Sequence, residues 1–473
     1  MEIRTRRRAR RRSEAAAALH QQPKKMKTAA ERATTPLVSL PDDLVEEVLL
    51  RLPARSLARF RRACLSWNAV ISSPGFQDRH HALAAAKFAF VPLAPRHTFA
   101  VSCMVPGAFP RPSRSVAFDC VGCPVIIGSR PCRGIVLLRR PCAGAYSVCN
   151  PTTGEVLHLP PPRKKKKSGV DDLVPGIGFD SATGEYKVVE VSANMGSLHG
   201  RVLTLGDARG WRALDAGDQA ASFGFTDKTR IDNEYYVDTV FADGCIHWGF
   251  KTNCMYVDQP HGVLSFSVAD ESFRRVPQPP FSTADLAPYD DGEPVEHVQA
   301  FRGLGWRSGS GRQILLPVGT TLAELDGRLC VMRDVRRRND VDGQFEVWKL
   351  QDYETGTWSL DYRVDLRAGK RQLTRPWLVA PLRYLPGDGD DGAGEKERRK
   401  LLLATTAQAA HVYDPDTKTL RTVASLAGRD DVGGGDTAQG LEDYLRLVLY
   451  QESLVRFAGM KQGKGDIEFV KLD

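Results

Sequence analysis

Apolar residues first settle into a regular pattern at residues 40 to 73. Leu44, Val45, Val48, Leu49 and Leu52 fall at helical spacing until Pro53 interrupts the run. The spacing predicts a short amphipathic helix with Pro41 in its first turn and Asp43 with Glu46 as a capping box. Ser56, Leu57, Phe60 and Cys64 give a second helical pattern, and Trp67, Val70 and Ile71 a third that ends at Pro74-Gly75. Three short helices in about 35 residues cannot close a core of their own. Part of their apolar face must therefore be covered by another protein or by the domain that follows.

From about residue 86 the period changes to alternation, with short β-rich runs broken by Gly, Pro, Asn and Asp. A strand, a polar turn and a second strand recur at Tyr146–Leu157, Val202–Leu214, Phe345–Leu360 and Val412–Leu420, with a weaker copy at Val263–Val276. With Gly154, Gly210, Ser272, Gly356 and Lys418 as anchors, the repeat interval is 56, 62, 84 and 62 residues. That is a propeller-like period with loop insertions. Tight Gly turns followed by alternating apolar residues recur at Cys132–Leu138, Asp243–Trp248 and Asp326–Val331, as the inner strand of a blade requires. Insertions at 281–311, 386–400 and 427–440 are rich in Gly, Asp and charge and read as mobile surface loops.

Composition agrees with a folded chain: 42% of the 473 residues are apolar and 26% charged. No stretch reaches the ~18 apolar residues of a membrane span, and the start lacks a signal-peptide core, which predicts a soluble, intracellular protein without membrane contact. Ten cysteines in so long a chain are too dilute for a disulfide scaffold, so reduced thiols are expected. The net charge of +9 suggests nucleic acid until it is located: residues 1–36 hold eleven Lys or Arg against three Glu and carry +8 of it. Almost without large apolar residues, they read as a disordered basic arm. Its two clusters, Arg6, Arg7, Arg8, Arg10, Arg11 and Arg12, then Lys24, Lys25 and Lys27, suit the acidic grooves of nuclear import receptors. A solubilising tail and, less well, an organellar transit peptide are the other readings.

Candidate chemistry is sparse. Cys120 and Cys123 with Cys132 and Cys142 invite a zinc site, but the second pair is nine residues apart rather than in a second C-x-x-C hairpin. Small buried thiols on strands fit better, and no metal or other cofactor is expected. His80 and His81 are adjacent and do not share a helix face. Gly433-Gly434-Gly435 lacks the Lys-Ser or Lys-Thr that completes a phosphate loop, and the run Arg163–Lys167 reads as a solvated loop.

Two stretches resemble a known family. Leu40-Pro41-Asp42-Asp43-Leu44 through Leu52-Pro53, then Ser56–Arg61 and Cys64-Leu65-Ser66-Trp67, resemble the F-box, departing from it at Leu65, where a Lys is usual, and at Val48, where Ile is. Asn150-Pro151-Thr152-Thr153-Gly154-Glu155, Gly178–Val189 and Tyr450-Gln451-Glu452-Ser453-Leu454-Val455 resemble the F-box-associated β-propeller of plant F-box proteins. The resemblance implies an α+β multidomain chain: a disordered basic arm at 1–36, a helical F-box at 37–82, and an all-β, kelch-like propeller of about six blades at 83–473. It implies a non-catalytic substrate receptor of a Skp–cullin–F-box ubiquitin ligase, located in nucleus and cytoplasm. Leu40, Pro41, Leu44, Val48, Leu49, Leu52, Pro53, Leu57 and Trp67 would bind the Skp-type adaptor and through it the cullin-RING ligase, and the propeller would take a protein substrate. A nuclear nucleic-acid-associated regulator using the arm, without specific nucleic-acid recognition, and a propeller enzyme are the alternatives.

Overall fold

The computed structural model describes residues 41–84, 86–92, 98–102, 112–117, 126–127, 130–140, 145–161, 173–194, 197–214, 223, 225, 230–231, 239–251, 261–280, 320–334, 344–365, 379–385, 399–405, 409–425, 445–457 and 467–469. The basic arm at 1–36, Leu40, Cys120, Cys123, Cys142, Arg163–Lys167 and the triple glycine lie outside them, as do the three insertions except Arg399 and Lys400. Lys400 begins a strand, so that insertion ends earlier than its composition suggests. Two compact units follow the chain, residues 1–48 and 49–473.

Four helices come first among the described residues: α1 (Asp42–Leu50), α2 (Ala54–Phe60), α3 (Leu65–Ser72) and α4 (Pro74–Leu83). Helix α1 starts one residue before the expected cap. The Pro41 carbonyl accepts from the N–H groups of Leu44 and Val45, which places Asp42 and Asp43 in the first turn, where carboxylates favour the positive end of the helix. Cys64 does not extend the second helix as its spacing suggests. It caps α3, its Sγ accepting from the Trp67 N–H at 3.5 Å. Ser73 caps α4 in the same way, with Pro74 at the first position, where its missing N–H costs nothing.

The described strands form six antiparallel sheets. The first joins Lys87–Pro92, Thr98–Ser102 and Pro112–Ala117 to Leu445–Tyr450 from the far end of the chain, with Lys87 opposite Tyr450 and Pro92 opposite Leu445. This pair joins the start of the β-rich region to its end. The second sheet is Ile126–Ile127, Val136–Arg140, Ala145–Asn150 and Glu155–His158 with Ile467–Phe469 added at its edge. The third is Val174–Asp180, Glu185–Asn194, Ser197–Thr204 and Arg212–Leu214. The fourth is Val240–Ala242, Cys245–Lys251, His261–Ser267 and Ser272–Val276 with the short Arg230–Ile231. The fifth is Thr320–Leu325, Arg328–Asp334, Gln344–Asp352 and Thr357–Asp365, and the sixth Val379–Leu385, Lys400–Thr405, Ala409–Asp414 and Thr419–Ser425.

Apolar packing runs from the second sheet through the sixth to the first. Leu137, Val148 and Leu157 of the second meet Val188 and Leu203 of the third. Val189 and Val202 meet Trp248 and Phe266 of the fourth, and Val240 and Val263 meet Leu322 and Val331 of the fifth. Met332 and Phe345 then meet Leu401 and Tyr413 of the sixth, whose Leu402 and Val412 pack with Leu449 of the first. Thr152, in a turn of the second sheet, meets the Tyr450 hydroxyl of the first, so each described sheet has neighbours, which is how a propeller protects its edges.

Turn chemistry fixes the registers. Three hairpins turn on two consecutive residues of positive φ, Arg133-Gly134, Asp243-Gly244 and Asp326-Gly327, the primed geometry that matches strand twist. The outer hairpins use another device, in which a side-chain oxygen accepts from the N–H two residues on: Asn150 from Thr152, Asp207 from Arg209, Asp352 from Glu354 and Asp414 from Asp416. The chain then passes through a left-handed residue at Gly154, Gly210, Gly356 and Lys418. In the fourth sheet that residue is Glu271, one before the sequence anchor Ser272.

Candidate functional site

The helical segment offers an apolar surface whose makeup follows from what its core consumes. Leu49, Leu50, Ala54, Leu57, Ile71 and Phe76 are buried. Phe60 and Trp67 meet edge to face at 5.3 Å, which fixes α2 against α3. The Arg61 guanidinium donates to the Ile71 carbonyl at 3.1 Å, and His80 Nε2 lies 2.9 Å from the Leu52 carbonyl. Burial lowers the pKa of Arg61, helped by nearby Arg456 and opposed by Glu155.

Of the residues that the family pattern assigns to an adaptor, Leu40 lies outside the described residues. Pro41 and Pro53 are exposed, Leu52 and Trp67 half-buried. Leu44 and Val48 are 52% and 55% exposed, and four residues apart on α1 they share one face. Leu49 and Leu57 are taken up by the interior, so they support the exposed side chains rather than present themselves. Leu65, the departure from the F-box pattern, stands 89% exposed at the start of α3, as an edge position should.

Elsewhere the titratable groups are structural. Cys132 and Cys149 are buried on the second sheet, and burial pushes both thiols up to about 12. No group of three or more His, Cys, Asp or Glu among the described residues is placed to hold a metal. His80 is buried and His81 half-buried, each bound to a backbone carbonyl. His247 is buried with its ring nitrogens near the Val240 carbonyl at 3.3 Å and the Tyr353 hydroxyl at 2.9 Å, and burial lowers it to about 3. A cavity of about 270 Å³ lies where five sheets converge, with Arg130 and Glu324 in its wall. Arg130 donates there to the carbonyls of Leu322 and Pro381, and Glu324 accepts from the Gly327 N–H at 2.6 Å, so both side chains bond the fold's own backbone. Among the described residues no helix is long and apolar enough to cross a membrane.

Comparison with known proteins agrees with this layout. An F-box domain model matches residues 37–79, and an F-box associated beta propeller domain model matches residues 113–290. An F-box/kelch-repeat protein of Arabidopsis thaliana is 22% identical over 459 residues, 88% of this chain and 90% of that protein. An F-box protein of the same plant is 24% identical over 341 residues, covering 70% and 80%. For a third F-box protein of that plant, 27% identical over 224 residues, the chain spans about half the relative's length, 52%. The helices, and the sheets within residues 113–290, each matched by its own family model, place the chain with plant F-box proteins that carry an F-box-associated β-propeller domain.

Proposed function

We propose that the chain is the substrate-recognition subunit of a Skp–cullin–F-box ubiquitin ligase. In this reading the helical module docks a Skp-type adaptor and the propeller holds a protein target. The observation that carries it is the exposed pair Leu44 and Val48 on the first helix of a segment that the F-box model matches. No chemistry is asked of the chain itself. Holding a target beside a charged ubiquitin carrier raises the effective concentration of its lysines, and that proximity is the whole mechanism. The two basic clusters of residues 1–36 complete the proposal as an import signal that gives the receptor access to the nucleus as well as the cytoplasm.

Co-purification with the adaptor tests the docking half. Leu44→Ala with Val48→Ala removes exposed side chains only, so the fold should stand while binding falls by about 2 kcal/mol or more, roughly thirtyfold. Undiminished co-purification would sink the adaptor assignment. Replacing the nine basic residues of the arm by Gln should shift a fluorescent fusion from nucleus to cytoplasm, and a fusion that stays nuclear would refute the import signal.

A further inference from the structure

The seven residues Gln451–Phe457, which follow the closing strand Leu445–Tyr450, have no regular secondary structure and are held by hydrogen bonds from side chains and backbone alike. Their contacts divide between two partners. Toward the helices, the Glu452 carboxylate accepts from the Ala54 N–H at 3.1 Å, where Pro53 supplies no cap of its own. The Glu452 carbonyl lies 3.4 Å from His81 Nδ1, the Leu454 carbonyl accepts from Arg61 at 2.9 Å, and the Gln451 amide donates to the Ala84 carbonyl at 3.3 Å.

Toward the second sheet, Asn150 Nδ2 donates to the carbonyls of Ser453 at 3.1 Å and Val455 at 2.7 Å. The Ser453 N–H donates to Thr152 Oγ1 at 3.0 Å, and Thr152 also meets the Tyr450 hydroxyl. Glu155 accepts from the Phe457 N–H at 2.7 Å and from Arg456 at 3.1 Å. Phe457 is buried in the core shared by the second and third sheets.

The turn Asn150–Glu155 thus grips this strap from one side while α2 and α4 hold it from the other. Arg61 is buried, and it reaches the strap and the Ile71 carbonyl with one nitrogen, so α2, α3 and the strap meet at a single side chain. Opening this joint would strand the Asn150 amide, the Leu454 carbonyl and the Arg61 guanidinium together, which resists a hinge.

We propose that the strap Gln451–Leu454 fixes helices α2, α3 and α4 to the propeller, with Glu452 and Arg61 as positioning residues on the helical side and Asn150 on the other. In the ubiquitin-ligase reading, on which only this consequence rests, the fixed angle sets which surface of a bound target faces the ubiquitin carrier. A flexible joint would spread ubiquitin over many lysines, and a rigid one restricts it.

The test uses the full chain without adaptor or target, so its outcome stands apart from the proposed function. Hydrogen exchange is followed at the amides of Ala54–Ile71 and, as reference, in the fifth sheet at Leu329–Met332. Glu452→Ala and Arg61→Met should each accelerate exchange in the helices about tenfold and leave the fifth sheet unchanged. Asn150→Ala is decisive because Asn150 bonds to the strap and to Thr152 of its own turn, not to a helix. It too should accelerate exchange in the helices. Acceleration with Glu452→Ala but not with a folded Asn150→Ala would reduce Glu452 to a local cap and overturn the coupling. Helices unmoved by both Glu452→Ala and Arg61→Met would overturn it also if Asn150→Ala failed to fold.

Discussion

Burial decides how single side chains in this protein titrate and react. His247 and His411 are neutral in the fold, held by burial at about 3 and about 4 against 6.5 for the free side chain. Below pH 6.5 the unfolded chain takes up protons that the folded chain refuses, so their contribution to stability is complete above 6.5. It drains away as pH falls toward 4 and then 3. The melting temperature should therefore fall from pH 6.5 to pH 4, and a folded His411→Gln variant should show a shallower fall; an equal slope would mean that His411 is protonated in the native state. Thiols sort by the same physics. Cys64 is exposed, and hydrogen bonds from Ser66 and the Trp67 N–H lower its pKa, whereas burial raises Cys132 and Cys149. Brief alkylation of the native protein followed by peptide mapping should find Cys64 modified well ahead of Cys132 and Cys149.

At the level of elements, glycines at similar backbone angles carry different loads. Gly134 and Gly244 both sit at the second place of a primed turn, with φ of 76° and 73°. Nothing lies within 4 Å of a Cβ added at Gly244, but one at Gly134 would stand 2.4 Å from the Gln451 carbonyl oxygen and 2.7 Å from Ser453 Cβ. Gly244→Ala should cost only the left-handed conformation, about 1 kcal/mol, while Gly134→Ala should cost at least twice that by pushing the strap away. Urea titration of the two variants measures the difference, and equal losses would mean that the strap yields freely.

The same turn shows what was legible in the sequence. The Arg133-Gly134 turn, the Asn150–Glu155 turn and the Tyr450–Val455 motif are each visible as local patterns, because turn type and strand alternation are written in neighbouring residues. That the Asn150–Glu155 turn and the Tyr450–Val455 motif bond to each other across about 300 positions is not visible, since turn and strand patterns report only on neighbouring residues. For the same reason helical spacing alone gives Leu44 and Leu49 equal standing, although the interior takes Leu49 and leaves Leu44 exposed. Asp43 misled as a cap because its own pattern fits one, while the Pro41 carbonyl starts the helix a residue earlier.

For the molecule as a whole, stability depends on a ring closed by its own C-terminal segment. Leu445–Tyr450 pairs along its full length with Lys87–Pro92, and Leu449 packs with Leu402 and Val412 of the sixth sheet. Removing residues 441–473 would strip that strand, the strap and the edge strand Ile467–Phe469, so the ring would open at the first sheet and lose Phe457 from the core of the second and third. Open strand edges with apolar neighbours recruit other chains. The truncated protein should therefore aggregate on size exclusion or melt well below the full chain. Residues 387–398 connect strands already in register, with Leu385 opposite Lys400, so exchanging them for a two-residue turn breaks no pair in the ladder. Because closing a long loop costs only slightly more than closing a short one, that exchange should leave the melting temperature nearly unchanged. A monomeric truncation with an unaltered melting temperature would mean that the sheets stack without closing.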